Sequence, residues 1–181
     1  MKSRQRCSWA NGPEIYDEYH DKEWGVPQHD DRMLFEMLNL EGAQAGLSWL
    51  TVLKKRQEYR KAFDNFDAEK IAKYTAVKRK QLMENEKIIR NALKINAFIE
   101  NAKIFLKIQK EWKTFDAYIW HFVGNQPIPH ARRKEALQIS EGMSKQLKKD
   151  GFRFVGPTIC FAFMQAVGMV NDHMPGCYKY R

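Results

Sequence analysis

Cysteine is scarce in this sequence, and three thiols cannot all pair. A disulfide framework is therefore excluded, and a reducing, intracellular compartment is expected, most simply the cytoplasm. Nowhere do about 20 apolar residues follow one another, so a membrane-spanning helix is not expected. The basic opening from Met1 to Cys7 has no apolar stretch behind it, and no secretory leader is predicted. Also missing are an internal repeat, a low-complexity tract and a Ser/Gly linker, so nothing marks a domain boundary. A sustained alternation of apolar and polar residues, the signature of half-buried strands, is absent as well.

What is present is helical spacing along a chain of 181 residues, the size of one domain. A chain of that length buries roughly 70% of its unfolded surface without outside help. The class is all-α. Pro13 opens a helix through Tyr16, Tyr19 and His20, and Gly25 and Pro27 end it. Asp30 or Asp31 caps the next, with Met33, Leu34, Met37 and Leu38 on one face. Gly42 and Gly46 break the pattern before Ser48 caps a helix carrying Trp49, Leu50, Leu53 and Phe63. Asp67 and Thr75 begin short helices, the apolar series from Ile88 to Leu106 marks a long one, and Thr114 starts another that runs to Gly124. Residues 125–140, with Pro127, Pro129, His130, Arg132, Arg133 and Lys134, read as an irregular basic connector, either a solvated loop or a phosphate contact. Lys plus Arg number 31 against 22 for Asp plus Glu, a formal charge of +9, and 13% of the chain is aromatic. That balance fits a nucleic-acid partner, although many soluble proteins share it.

Two features carry chemistry. Cys7 and His20 near one end, with His173 and Cys177 near the other, supply two sulfurs and two imidazoles, a donor set that suits tetrahedral zinc. Four such residues could also be unrelated. The second feature is the run from Ser144 to Ala166, in which Gly151 can end one helix in the left-handed conformation and Pro157 can open the next. It reads either as a helix-hairpin-helix that offers backbone N–H groups to a phosphate or as a plain hairpin between two core helices.

Taken together the motifs resemble a family. Cys7-Ser8-Trp9, Tyr19-His20-Asp21, Glu23-Trp24-Gly25-Val26-Pro27, Leu40-Glu41-Gly42, the stretches from Gln44 to Trp49 and from Gly151 to Thr158, and Val170-Asn171-Asp172-His173 look like the bacterial 3-methyladenine DNA glycosylases of the Tag type. The resemblance spans nearly the whole chain. The connector at 125–140 departs from it, being shorter and more basic, and Ala43 stands where some relatives carry a longer polar side chain.

The resemblance implies a helix-hairpin-helix DNA glycosylase fold in one domain, residues 1–181. Segments of about 1–30 and 165–181 would form a zinc-clipped terminal lobe, and residues 31–164 a helical lobe with its hairpin at 144–166. Cys7, His20, His173 and Cys177 would hold a structural zinc, since four protein ligands leave no open position for water. The zinc-deaminase pattern is also missing around His20 and Cys177. Glu41 would be the catalytic, base-recognising residue, its carboxylate drawing in the cationic N3-methylated adenine and rejecting the neutral normal base; on its own it could equally be a solvated Glu at a helix end. Tyr16, Trp49, Trp9 and Tyr19 would stack on the flipped base, with Trp49 open to a plain core role. Gly46 and Leu47 would enter the duplex, and Gly151, Phe152 and Gly156 would meet the DNA backbone. The expected activity is monofunctional hydrolysis of the N-glycosidic bond of N3-methyladenine in alkylated double-stranded DNA, by a monomer with no membrane association and no nucleotide cofactor. Asp172 reads as a neighbour of His173 rather than as the catalyst. The competing class is a non-catalytic, zinc-stabilised helix-hairpin-helix DNA-binding module.

Overall fold

The computed structural model describes residues 5–180. Residues 1–4 and 181, the outermost ends of the expected terminal lobe, lie outside that range. Among the described residues all regular structure is helical, apart from one isolated parallel bridge between Ile128 and Val170. In order the α-helices are α1 (Glu14–Lys22), α2 (Asp31–Gln44), α3 (Trp49–Ala62), α4 (Ala68–Ile71), α5 (Ala76–Glu84), α6 (Ala92–Trp112), α7 (Phe115–Trp120), α8 (Arg133–Asp150) and α9 (Pro157–Ala166).

Short polar residues set most of the helix starts by accepting a hydrogen bond from the free N–H groups of the first turn. Asp30 does so for α2, Ser48 for α3, Asp67 for α4, Thr75 for α5, Asn91 for α6 and Thr114 for α7. The cap at Asn91 corrects the expected start of α6, because Ile88 and Ile89 fall in the preceding turn. The basic connector is also shorter than its composition suggested: α8 begins at Arg133, so residues 133–140 are helical. Its charged residues lie on the solvent side while Ala136, Ser140, Met143 and Leu147 face inward.

The centre of the molecule is α2, every residue of which from Leu34 to Ala43 is buried. Its Phe35 joins Phe63, Phe66, Phe98, Phe105 and Phe115 from the surrounding elements in a continuous aromatic core. A helix enclosed on all sides must find partners for its polar groups. Glu36 accepts from Arg56 and Arg60, and Arg56 also donates to Glu23 at 2.6 Å. Asn39 donates to the Phe35 carbonyl at 2.8 Å and accepts from Asn101 at 3.0 Å. Glu41 is the third buried polar side chain of α2, and it differs from the other two.

The hairpin joins α8 to α9. Gly151, at φ 107°, donates back to the carbonyls of Leu147 and Lys148, and Phe152 donates to Leu147 at 2.9 Å. Pro157 occupies the first turn of α9. Arg153 N–H donates to Asn101 Oδ1 at 2.7 Å while Asn101 Nδ2 donates to the Arg153 carbonyl at 3.2 Å, so α6 holds the turn in place.

Candidate active site

Between the N-terminal segment, the end of α2, the start of α3 and the face of α9 lies a cavity of about 510 Å³. Trp9, Tyr16, Tyr19, Trp24 and Trp49 supply its aromatic walls. The rings contact one another in series: Trp9 meets Tyr16 edge-on at 5.7 Å and Trp24 at 5.0 Å, and Tyr19 meets Trp49 at 5.5 Å. Helical spacing explains much of this. Tyr16 and Tyr19 are three apart on α1, and Glu41 and Gln44, which also line the cavity, are three apart on α2. Trp49 opens α3, packs against the core and lines the cavity, its indole N–H buried and without a partner among the described residues.

Glu41 is 5% exposed and reaches the cavity from the buried helix α2. It has no hydrogen-bond or ion-pair partner among the described residues. Burial alone drives its carboxyl pKa from 4.5 up to about 8. The Tyr19 hydroxyl beside it is held well above its ordinary value, first by burial and then by the Glu41 charge. Burial thus favours the protonated form of Glu41, and no cation among the described residues pairs with it. A cation entering the cavity favours the carboxylate.

All five predicted pocket residues, Glu41, Tyr16, Trp49, Trp9 and Tyr19, come together here. Sequence reasoning missed Trp24, Gln44, His130, Arg133, Gln165 and Met174, and it placed Asp172 only as a neighbour of His173, whereas Asp172 lines the cavity too. Gln44 was legible from its spacing to Glu41. Trp24 lay inside a motif already noted, but nothing local shows that its ring meets Trp9 and, at 4.7 Å, His173.

The predicted DNA-contacting positions divide. Gly46 and Leu47 stand exposed in the turn between α2 and α3, Leu47 at 40%. Gly46 has a φ of 78° with open space where a Cβ would stand, so the turn projects outward. In the hairpin the Phe152 ring is 2% exposed and packs on Phe115, and the N–H groups of Gly151 and Phe152 are already spent on capping α8. Gly156 caps α9 without a side chain, which leaves the first N–H groups of that helix open to an anion.

The four predicted metal donors also converge. Cys7, His20, His173 and Cys177 are all buried, and their ligand atoms lie within 4.8 Å of one another. Cys177 Sγ is 3.4 Å from His20 Nε2, and both sulfurs are 3.6 Å from His173 Nδ1. A tetrahedron with bonds of about 2.3 Å to sulfur and 2.05 Å to nitrogen has S–N edges of about 3.6 Å, so the group could bind a metal. His20 Nδ1 lies 2.9 Å from Asp21, whose carboxylate takes two bonds from Arg6 and is held well below the usual carboxylate range by them. That arrangement fixes the ring with Nε2 toward the sulfurs. Burial pushes the Cys7 thiol up to about 11, a cost that a central dication would reverse, and His173 down to about 4, which keeps that imidazole neutral as a metal ligand must be. Gly25 is required beside this cluster, because at φ 74° its missing Cβ would stand 2.8 Å from His173 Nε2.

Comparison with known proteins places this geometry. The model of the methyladenine glycosylase family matches residues 9–180. A DNA-3-methyladenine glycosylase of Haemophilus influenzae is 48% identical over 177 residues, covering 95% of this chain and 96% of its own. A crystal structure of 3-methyladenine DNA glycosylase I superposes with a TM-score of 0.91 at 46% identity, over 98% of this chain and 100% of that one. Another, a variant of 3-methyladenine DNA glycosylase I in complex with 3-methyladenine, gives a TM-score of 0.89 at 34% identity over 97% of each chain.

Proposed function

Because the chain belongs to the methyladenine glycosylase family, we propose a role for each part of its pocket in the reaction of a DNA-3-methyladenine glycosylase. The enzyme releases N3-methyladenine from alkylated DNA by hydrolysing its N-glycosidic bond. The observation that carries the residue assignments is the unpartnered Glu41 carboxyl buried among five aromatic side chains.

Adenine methylated at N3 within a nucleoside carries a positive charge. Its transfer from the stacked duplex into the cavity places that charge beside Glu41, which yields its proton to solvent and becomes the counter-ion. A neutral adenine offers no such exchange and leaves the carboxyl protonated, so discrimination comes from charge rather than from shape alone. The bond from the sugar carbon to the base nitrogen then breaks, and its electron pair neutralises the leaving base. Water supplies the oxygen that bonds to the sugar carbon, and its proton passes to solvent. Methylation has already made the base a good leaving group, so binding, desolvation and electrostatic stabilisation supply the rest. Leu47 is the apolar wedge for the gap left in the duplex, and the α9 N-terminus holds a backbone phosphate. No lysine lines the cavity among the described residues, which supports a monofunctional enzyme.

The S–N distances and the Asp21 support favour zinc as the ion held by Cys7, His20, His173 and Cys177. With four protein donors it would act structurally, joining the two ends of a single domain and fixing Trp9 and Tyr16 at the pocket. No described helix is long and apolar enough to cross a membrane. The buried thiol of Cys160 and the thiol ligands suit a reducing cytoplasm, and the reaction needs no second subunit. Incubation with methylated duplex DNA tests the function: free 3-methyladenine is expected with the strand uncut and no borohydride-trapped adduct. Tight DNA binding without base release would instead favour the non-catalytic module.

A further inference from the structure

One wall of the aromatic cavity carries charges that base recognition leaves unused. Asp172, 8% exposed, accepts from Gln165 Nε2 at 2.6 Å and from Arg133 Nε at 3.1 Å, and His130 Nδ1 stands 3.0 Å from its other oxygen. The guanidinium of Arg133 also lies 5.0 Å over the Phe161 ring. Carboxylate and ring together fix the guanidinium plane, although the side chain is 47% exposed. Of its five N–H donors only the one on Nε is engaged, and the terminal groups have no acceptor among the described residues. Arg132 next to it differs, since Glu135 binds its guanidinium at two points and closes the pair. Within the basic connector, then, Arg133 is the arginine that is both pre-aligned and uncommitted.

No hydrogen bond or ion pair joins this group to Glu41, and the two come from different elements: Glu41 from α2, Arg133 from the first turn of α8, and Asp172 from the segment after α9. A guanidinium repels a cationic base, so Arg133 does not serve the base itself. It suits an anion. A nucleotide whose base is cationic brings anions with it, namely the phosphates on either side, and rotation of the base into the cavity carries one of them to the rim. We propose that Arg133, aligned by Asp172 and Phe161 and accompanied by His130, binds a backbone phosphate of the damaged strand beside the flipped nucleotide. The cavity is then matched in polarity to its substrate, with a carboxyl for the base and a guanidinium for the phosphate. This role rests on the glycosylase reading given above.

Arg133→Gln and Arg133→Lys test it with three readouts: binding of free 3-methyladenine by quenching of tryptophan fluorescence, excision from methylated duplex, and duplex affinity across a salt series. For Arg133→Gln, free-base affinity should stay within about twofold, kcat/KM on DNA should fall about tenfold, and the slope of log affinity against log salt should shrink by about 0.9, the loss of one phosphate contact. Arg133→Lys should restore the slope while recovering only part of the rate, because an ammonium cannot hold Asp172 and fork onto a phosphate together. Equal losses for free base and duplex would overturn the proposal, since Arg133 would then only shape the pocket around Asp172. An unchanged salt slope in a wild-type-like Arg133→Gln would overturn it too. A wild-type protein that excises no base would overturn the glycosylase reading itself, a result separable from the other two.

Discussion

Glu41 and Glu36 sit on the same buried helix, yet two arginines compensate Glu36 and nothing among the described residues compensates Glu41. A carboxyl left in that state is a site awaiting a cation, and its titration follows. The folded protein binds this proton with a pKa of about 8 against an ordinary value of 4.5. The folded state therefore holds more protons than the unfolded one between those values. The stability this group contributes is complete below pH 4.5 and is lost as pH rises through about 8, on the order of a few kcal/mol. Urea unfolding at pH 5 and pH 8.5 should show that loss in the wild type and a flatter dependence in Glu41→Gln. Binding of a cationic base runs the other way, because it requires the carboxylate. For wild-type enzyme kcat/KM on methylated DNA should rise with pH and level off above about 8. Sequence could name Glu41 only through family resemblance, since a Glu beside a glycine is usually solvated. Its isolation depends on a helix being enclosed from every side, and apolar spacing along α2 marks just one of those sides.

The turn between α2 and α3, which carries the proposed wedge Leu47, is held by a lysine from a distant helix. Lys94 on α6 is buried and donates to the carbonyls of Ala43 at 2.8 Å and Ala45 at 2.7 Å, satisfying the C-terminal end of α2. Burial lowers its pKa. Lys94→Met should cost about 2 kcal/mol in thermal or urea unfolding, the range for hydrogen bonds from a charged group. It should also slow excision from duplex more than it weakens binding of free 3-methyladenine, as the wedge loosens while the pocket remains. Helix starts were legible at this scale because Asp30, Ser48, Asp67, Thr75 and Thr114 act on neighbours three residues away. Lys94 was not, since its acceptors lie about fifty residues off and a lysine in an amphipathic sequence looks solvent-facing. The start of α8 was misplaced for a related reason: prolines and charges at 127–134 resemble a loop, and the buried Ala136 and Ser140 that anchor the helix are too small to signal a core face.

Across the whole molecule the Cys/His cluster, the proposed zinc site, and the pocket share one wall. His20 is edge-on to Trp9 at 5.4 Å, and His173 meets Trp24 at 4.7 Å, so these imidazole rings buttress the aromatic wall on which a base would stack. Removal of zinc by a chelator that holds it tightly, or Cys7→Ser, should lower the melting temperature and weaken free-base binding together; a metal-free protein of full stability and affinity would refute the structural assignment. The four donors were readable because Cys and His are rare here and stand at the two ends, whereas the convergence of His130, Arg133 and Asp172 on the same cavity depends on how α8 and α9 fold back. Recognition is proposed to rest on the carboxyl of Glu41. The most direct test is single-turnover release of 3-methyladenine from methylated duplex by wild type and by Glu41→Gln, with duplex affinity measured alongside. Release should fall by roughly 100-fold or more while affinity for undamaged duplex stays the same. Release by Glu41→Gln at the wild-type rate would contradict the account.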